Sequence, residues 1–198
     1  YLTFLKGFVQ GDLGTSLRTN QSVTVMIAER IPATLELALA SMICAVMFAI
    51  PLGVVAAVWR GTVIDYAAMT LALIAVSIPN FWLGPLLALI FGVELGWLPV
   101  SGRGTLAHLI MPAVSLGTGL AAILARMTRA TLLEELREQY VIAARARGAS
   151  KTRAILSHAF RNSLIPVVTL VGLQFGVVLT GAVITETIFA WPGIGRLL

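Results

Sequence analysis

Tyr140-Val-Ile-Ala-Ala-Arg-Ala-Arg-Gly148-Ala-Ser150 lies in a polar, basic segment, Arg126–Pro166, that separates two apolar runs. The segment carries Arg126, Arg129, Arg137, Arg145, Arg147, Lys151, Arg153 and Arg161, eight of the fourteen basic residues of the chain. Gly148 reads as the residue just past a helix end, where the backbone turns left-handed. Ser150 reads as the cap of a following helix, Lys151–Arg161, with Ala154, Ile155 and Ala159 on its apolar side. Before the turn, Leu132, Leu136, Tyr140 and Ala143 are predicted to share one helical face. The small residues Ala143, Ala144, Ala146 and Ala149 surround the turn, so it can enter a groove on a partner. The competing reading is an amphipathic helix resting on anionic lipid. The acids Glu134, Glu135 and Glu138 argue against a purely lipid-bound role.

Outward from this segment the chain is apolar. It is 58% hydrophobic and 12% charged, with mean hydropathy +0.93. A soluble domain carries roughly twice that charged fraction. Ala33 to Trp59 holds one charge, Glu36; Tyr66 to Val93 holds none; Leu106 to Ala125 holds only the titratable His108; Leu164 to Thr185 holds none. Each run is long enough to cross a hydrocarbon core of ~30 Å. Four spans are therefore expected, at about 33–59, 66–93, 106–125 and 164–185, in an all-α polytopic membrane protein. A net charge of +5 raises nucleic acid as a partner. The basic residues cluster beside span ends, where topology requires them, and no basic groove with interleaved aromatics is visible, so nucleic acid is excluded.

The excess of positive charge places the 126–163 loop in the cytoplasm. The Glu94–Arg103 loop and the Glu186–Trp191 tail then lie outside, the Arg60–Asp65 loop inside, and residues 1–32 outside despite Lys6, Arg18 and Arg30. The first span is expected to begin at Arg30-Ile-Pro32-Ala-Thr34, with proline in the first turn and Glu36 near the helix dipole as an interfacial carboxylate. The second contains Ser77-Ile-Pro79-Asn80, where proline kinks or interrupts the helix. Ser77, Pro79, Asn80 and Gln174 are the candidates to line a translocation path. A static kink and simple interhelical bonding are the alternatives for them. Gly172 and Gly176 have the spacing that lets two helices approach closely, and packing is their expected role. Trp97 suits the interfacial aromatic belt.

Catalytic machinery is missing from the sequence. It has two histidines and one cysteine, Cys44, with no HExxH, no paired carboxylates within a span and no phosphate-binding GxxxxGK[ST]. No catalytic, cofactor-binding or metal-binding residue is expected, and uphill work would draw on a partner or an ion gradient. The chain begins at Tyr1 and stops soon after Trp191-Pro-Gly-Ile-Gly195, and is expected to be a fragment of a larger membrane protein.

Ala143-Ala144 followed by Gly148 resembles the "EAA…G" loop of ABC-importer permeases. Ile142 stands at the Glu position, and Pro166 lies eighteen residues beyond Gly148, further than in the general pattern. Both departures resemble the peptide/nickel branch, whose members read roughly "YVxxARAKGxS…HxxRNxLIPVVTxxGLQ". Here Tyr140–Ser150 is followed by His158-Ala-Phe-Arg161-Asn-Ser-Leu-Ile-Pro166-Val-Val-Thr169 and Gly172-Leu-Gln174. Gly11-Asp-Leu-Gly14-Thr-Ser16, Gly96-Trp-Leu-Pro99 and Glu186-Thr-Ile-Phe-Ala-Trp191-Pro-Gly-Ile-Gly195-Arg-Leu-Leu198 extend the match through nearly all the chain.

The resemblance implies a type I ABC-importer transmembrane domain of the first-permease type, with four of an expected six spans present. It implies residence in the bacterial inner membrane, a second homologous permease, ABC ATPase subunits and a periplasmic substrate-binding protein. It implies a cargo of dipeptide, oligopeptide or glutathione, with nickel as a further member of the branch. Tyr140, Ala143, Ala144, Arg147, Gly148, Ala149 and Ser150 would form the element that couples to the ATPase, and the chain itself would not be an enzyme. The binding protein would dock on residues 1–30, the Glu94–Arg103 loop and the tail near Trp191. Two other classes stand beside this one. An ion-driven secondary transporter needs ionisable residues deep in the spans, where this chain has none near a span centre. A membrane scaffold subunit needs neither the kinked second span nor Asn80 and Gln174.

Overall fold

The computed structural model describes residues 13–16 and 20–197, so Gly11, Asp12, Lys6 and Arg18 lie outside the described residues. Regular structure among these is helical, apart from an isolated antiparallel bridge between Thr15 and Ser22. Helix α1 is Val23–Val58, α2 is Val63–Ser77, and α3 is Asn80–Leu87, continued by π-helical turns over Ala88–Glu94. Helix α4 is Leu106–Glu135 and α5 is Gln139–Ala146. The short α6, Lys151–Arg153, runs through a π-helical stretch, Ala154–Ala159, into α7, Phe160–Gly181. Helix α8, Val183–Ile188, precedes a 3₁₀ turn at Ile194–Leu197.

Among the described residues, three helical stretches are long and apolar enough to cross a membrane: α1, α4 and Lys151–Leu179. The fourth expected run is a broken one, because α2 and α3 meet at 97°. The break follows from Pro79. Its ring pushes Ile78 into an extended conformation (φ −80°, ψ 118°), so α2 ends there and α3 starts afresh at Asn80.

The boundaries differ from the sequence expectations at three places. Helix α1 begins at Val23, so Arg30 and Pro32 lie inside it and Glu36 is no longer a first-turn residue. An internal proline removes one hydrogen bond without ending a helix whose sides are packed. Here the 3₁₀ turn packs against α1, and Val23, Met26, Ile27, Ile194 and Leu197 line one apolar cleft. Helix α4 runs to Glu135, so Arg126 and Arg129 sit on a helix rather than in a loop. The expected separate helix Lys151–Arg161 is fused to the last span. No glycine or proline interrupts the chain from Lys151 to Ile165. The loop predicted at 126–163 thus shrinks to the α5 excursion between Leu136 and Ser150.

The core is the α1–α4 seam, built from small residues. Ala33, Leu37, Ala38, Met42, Ala45 and Ala49 face Leu116, Leu120, Leu124 and Ala125, with Val167 and Val178 of α7 and Trp191 closing the cluster. The two backbones nearly touch at two glycines. A Cβ on Gly117 would stand 2.8 Å from the Ser41 carbonyl oxygen, and one on Gly53 2.6 Å from that of Ala125. The expected packing role of Gly172 and Gly176 is not met among the described residues. A Cβ on either would have nothing within 4 Å, and Leu173 and Val177 beside them are exposed. The face bearing them is one of several apolar outer faces, with Ile43, Met47, Phe48, Leu71 and Val168 among their exposed side chains. A contiguous apolar exterior on this scale suits lipid or a partner rather than water.

Candidate functional site

The basic end of the bundle carries α5 as a short helix held away from the long ones. Helix α4 stops at Glu135, and α5 restarts at Gln139 after a turn. Leu132, Leu136, Tyr140 and Ala143 therefore do not form one continuous face: Leu132 belongs to α4, Leu136 ends it, and Tyr140 and Ala143 ride on α5. The inward side of α5 is Val141 and Ala144. Val141 packs in a small cluster with Leu132 of α4, Ala57 of α1, and Ala154 and Ala159 of the stretch leading into α7, and Ala144 is buried beside it on the same helix. Ile142, Ala143, Arg145, Ala146 and Arg147 face outward. Ala144 seats the helix on its own bundle, and Ala143 is presented.

The turn after α5 has the form the sequence predicts. Gly148 adopts φ +95°, a left-handed conformation that L side chains rarely take, and Arg147 caps the helix. The Gly148 amide donates to the Arg145 carbonyl, and the Ala149 amide to that of Ala144. The Ser150 hydroxyl oxygen accepts from the Arg153 amide at 3.3 Å, capping α6.

Tyr140 joins this helix to both neighbours. Its hydroxyl donates to the Glu135 carboxylate at the end of α4 and accepts from Asn162 Nδ2 at 2.9 Å near the start of α7. Burial, followed by the bond to Glu135, holds its phenol above the usual tyrosine range. Asn162 and Glu135 were not foreseen as its partners. The Arg161-Asn162 pair within the quoted motif was the available signal.

A second polar contact at this end was also missed. Arg129 of α4 grips Asp65 of α2 through two bonds, Nε to Oδ1 at 2.6 Å and Nη2 to Oδ2 at 2.7 Å. Gly61 in the α1–α2 turn adds its amide to Asp65 Oδ2 at 2.9 Å. The one acid opening a charge-free run was the only sequence signal.

The path candidates are not gathered into one pocket. Ser77 is exposed and its hydroxyl donates to the Leu73 carbonyl of its own helix. Pro79 is exposed at the break, and Asn80 opens α3 half-buried. Gln174 is half-buried on α7, which packs on α1 and α4, whereas α3 packs on α4 and α8. Among the described residues none of the four bonds to another.

At the opposite end the tail folds inward. Glu186 is fully buried, accepting from the Thr34 hydroxyl at 2.7 Å and the Gly195 amide at 2.7 Å. The buried Trp191 indole donates to the Ala33 carbonyl at 2.7 Å. These two residues are thus interior, while Arg196 beyond them is exposed. Exposed groups at this end include Trp97 and Arg103, and the latter bonds to the half-buried Glu36 (Nε–Oε2 2.8 Å). The partner of Glu36 is this arginine rather than the dipole of a helix start.

Among the described residues no group of three or more His, Cys, Asp or Glu side chains is arranged to hold a metal ion.

Comparison with known proteins places this geometry. The family described as binding-protein-dependent transport system inner membrane component matches residues 49–198. The glutathione transport system permease protein GsiC of Pectobacterium atrosepticum is 49% identical over 195 residues, covering 98% of this chain and 64% of that protein. GsiC of Escherichia coli K12 is 46% identical over the same length. The di/tripeptide transport system permease protein DppB of Pseudomonas aeruginosa is 45% identical, covering 100% of this chain and 67% of that one. The chain therefore spans about two thirds of the length of these relatives. A crystal structure of an amino acid ABC transporter with histidines shares the fold, at TM-score 0.68 and 16% identity over 88% of this chain and 76% of that one. The long apolar stretches and the broken pair are those of a multi-pass inner-membrane protein. The chain belongs to the family of inner-membrane components of binding-protein-dependent transport systems.

Proposed function

We propose that this chain is the membrane-spanning core of a permease subunit in an ATP-driven, binding-protein-dependent importer of small peptides, with dipeptides, oligopeptides and glutathione as the cargo class. The observation that carries the reading is α5. It is a short helix with Val141 and Ala144 buried on its inward side, tied by Tyr140 to two long helices, and presenting Ile142, Ala143 and Arg147 outward at the basic end. Nothing in the chain's sequence hydrolyses nucleotide, so its drive would come through a docked ATPase. The relatives' names, for glutathione and for di/tripeptides, support the cargo class.

In this reading Tyr140, Ala143, Arg147, Gly148, Ala149 and Ser150 form the coupling element on the cytoplasmic side, with Ala144 as its seat. Residues 1–32 and the Glu94–Arg103 loop lie in the periplasm. ATP binding closes a pair of ATPase subunits and moves the groove that holds α5. Through Tyr140 the displacement reaches α4 and α7 together. The spans rock against a second, homologous permease, and a cavity between the two opens to the periplasm to receive cargo from the binding protein. The half-buried Asn80 and Gln174, with Ser77 and Pro79 at the helix break, are proposed to line that cavity.

The test is transport by the full-length permease reconstituted with its operon partners in liposomes. ATP-dependent, binding-protein-dependent uptake of labelled dipeptide or glutathione is expected. Uptake driven by a proton or sodium gradient without ATP would overturn the reading.

A further inference from the structure

Helix α2 is held by a narrow contact. Of its fifteen residues, Asp65, Ala68 and Ala72 are buried, at spacings of three and four that make one stripe facing α4 and, less extensively, α1. Met69 and Ala75 are half-buried, and the other side chains, including Val63, Tyr66 and Leu73, are exposed. Among the described residues, the Asp65–Arg129 pair is the one side-chain hydrogen bond or ion pair joining α2 to another helix. It is bidentate, with Asp65 almost wholly enclosed and Arg129 about three-quarters so. A planar guanidinium matched to both carboxylate oxygens fixes orientation as well as distance, which a lysine cannot do.

The far end of α2 is the break at Ile78–Pro79, where the chain turns through 97° into α3. Helix α2 is thus a rod clamped at one end and jointed at the other. The clamp sits on the part of α4 that ends in Glu135, the residue bonded to Tyr140 of α5. Arg129 and Glu135 lie six residues apart on one helix, about 9 Å at 1.5 Å per residue.

We propose that Asp65 and Arg129 are positioning residues for transport: the pair makes α2 move with the basic end of α4, so that a displacement arriving at α5 is delivered to the helix break at Ser77–Asn80. The proposal rests on the coupling role of α5. Its own content is that α2 follows α4 through this ion pair, and that losing the pair separates ATP hydrolysis from cargo movement.

The experiment uses the full-length permease in its reconstituted complex and reads labelled peptide moved per ATP hydrolysed, normalised to assembled complex. Asp65→Asn and Arg129→Gln are each expected to lower that ratio about tenfold, a usual size for coupling between sites, with ATPase activity kept. The double variant is expected to match either single one, as for two groups acting through one contact. Arg129→Lys is expected to fall between, since it keeps the charge and loses the fork. A merely structural pair would lower the amount of complex and leave the ratio unchanged. A second measurement does not depend on how the variants fold. With Cys44 replaced by serine, spin labels at Leu71→Cys and Ile123→Cys report the α2–α4 distance in the otherwise wild-type complex with and without nucleotide. An unchanged distance is expected while the complex cycles; a distance that changes with nucleotide overturns the proposal, as does an unaltered ratio in Asp65→Asn. A wild-type complex in which cargo moves independently of ATP would instead remove the reading on which the proposal rests, and the proposal with it.

Discussion

Tyr140 and Asn162, twenty-two residues apart in sequence, meet through a 2.9 Å hydrogen bond that closes the α5 excursion. The same phenol binds Glu135, so one hydroxyl fastens the start of α5 to the helix before it and the helix after it. A helix of eight residues is too short to hold its shape alone in water. Its orientation therefore depends on this hydroxyl and on the two side chains beneath it.

Tyr140→Phe removes both bonds and keeps the ring. Because the site is partly solvated, the permease is expected to remain folded and inserted. Transport per ATP is expected to fall severalfold, measured in proteoliposomes at neutral pH. The difference should vanish at alkaline pH. A raised phenol pKa means that the folded state keeps the proton the unfolded chain would release. The contribution is whole below the ordinary tyrosine value of about 10 and is lost as pH climbs through the folded value above it. A wild-type advantage that fades instead between pH 6 and 8 would contradict this assignment.

Ala143 and Ala144 are adjacent in sequence and opposite in role. Ala144→Leu adds volume at a buried position and is expected to destabilise by about 1–3 kcal/mol, seen as a lower melting temperature in detergent. Ala143→Leu faces outward and should leave the melting temperature unchanged while weakening capture of the ATPase. Equal thermal effects from both would show that α5 is seated differently.

Gly148 serves its conformation rather than its size, since a Cβ there would meet nothing within 4 Å. Gly148→Asn, which tolerates a left-handed backbone, is expected to keep most coupled transport. Gly148→Val is expected to lose it, with ATPase activity persisting. Similar transport by the two variants would mean that the turn is not the determinant.

Gly117 and Gly172 give the opposite contrast in the bundle. Gly117→Ala drives a methyl group against the Ser41 carbonyl and should cost about 1–3 kcal/mol by forcing α1 and α4 apart. Gly172→Ala in the isolated chain should be neutral or slightly stabilising, because alanine favours helix. Thermal unfolding of the purified protein separates the two.

Much of this architecture was legible because apolar runs, proline and glycine act locally. Pro79 announced the break in the second run, and Gly148 and Ser150 announced the turn and the cap that follow α5. The tertiary ties were not legible. Asp65 with Arg129 and Thr34 with Glu186 join residues 64 and 152 positions apart, and neither pair has a spacing that sequence could display. Glu186 and Trp191 read only as part of a tail on the external side, with no signal for burial. Their burial follows from the Thr34 hydroxyl, the Ala33 carbonyl and the Gly195 amide, which supply partners. The GxxxG spacing of Gly172 and Gly176 marks a face that permits close packing, and no helix among the described residues occupies it.

An ATPase is proposed to take hold at α5. The direct measurement is capture of native membrane partners by the solubilised full-length permease, wild type beside a variant in which Ala143–Ser150 is deleted, each first shown to be folded and inserted. The wild type is expected to retrieve an ATP-binding subunit, and the deletion to lose it while keeping the second permease. Retrieval of the ATPase by both proteins, or by neither, would contradict it.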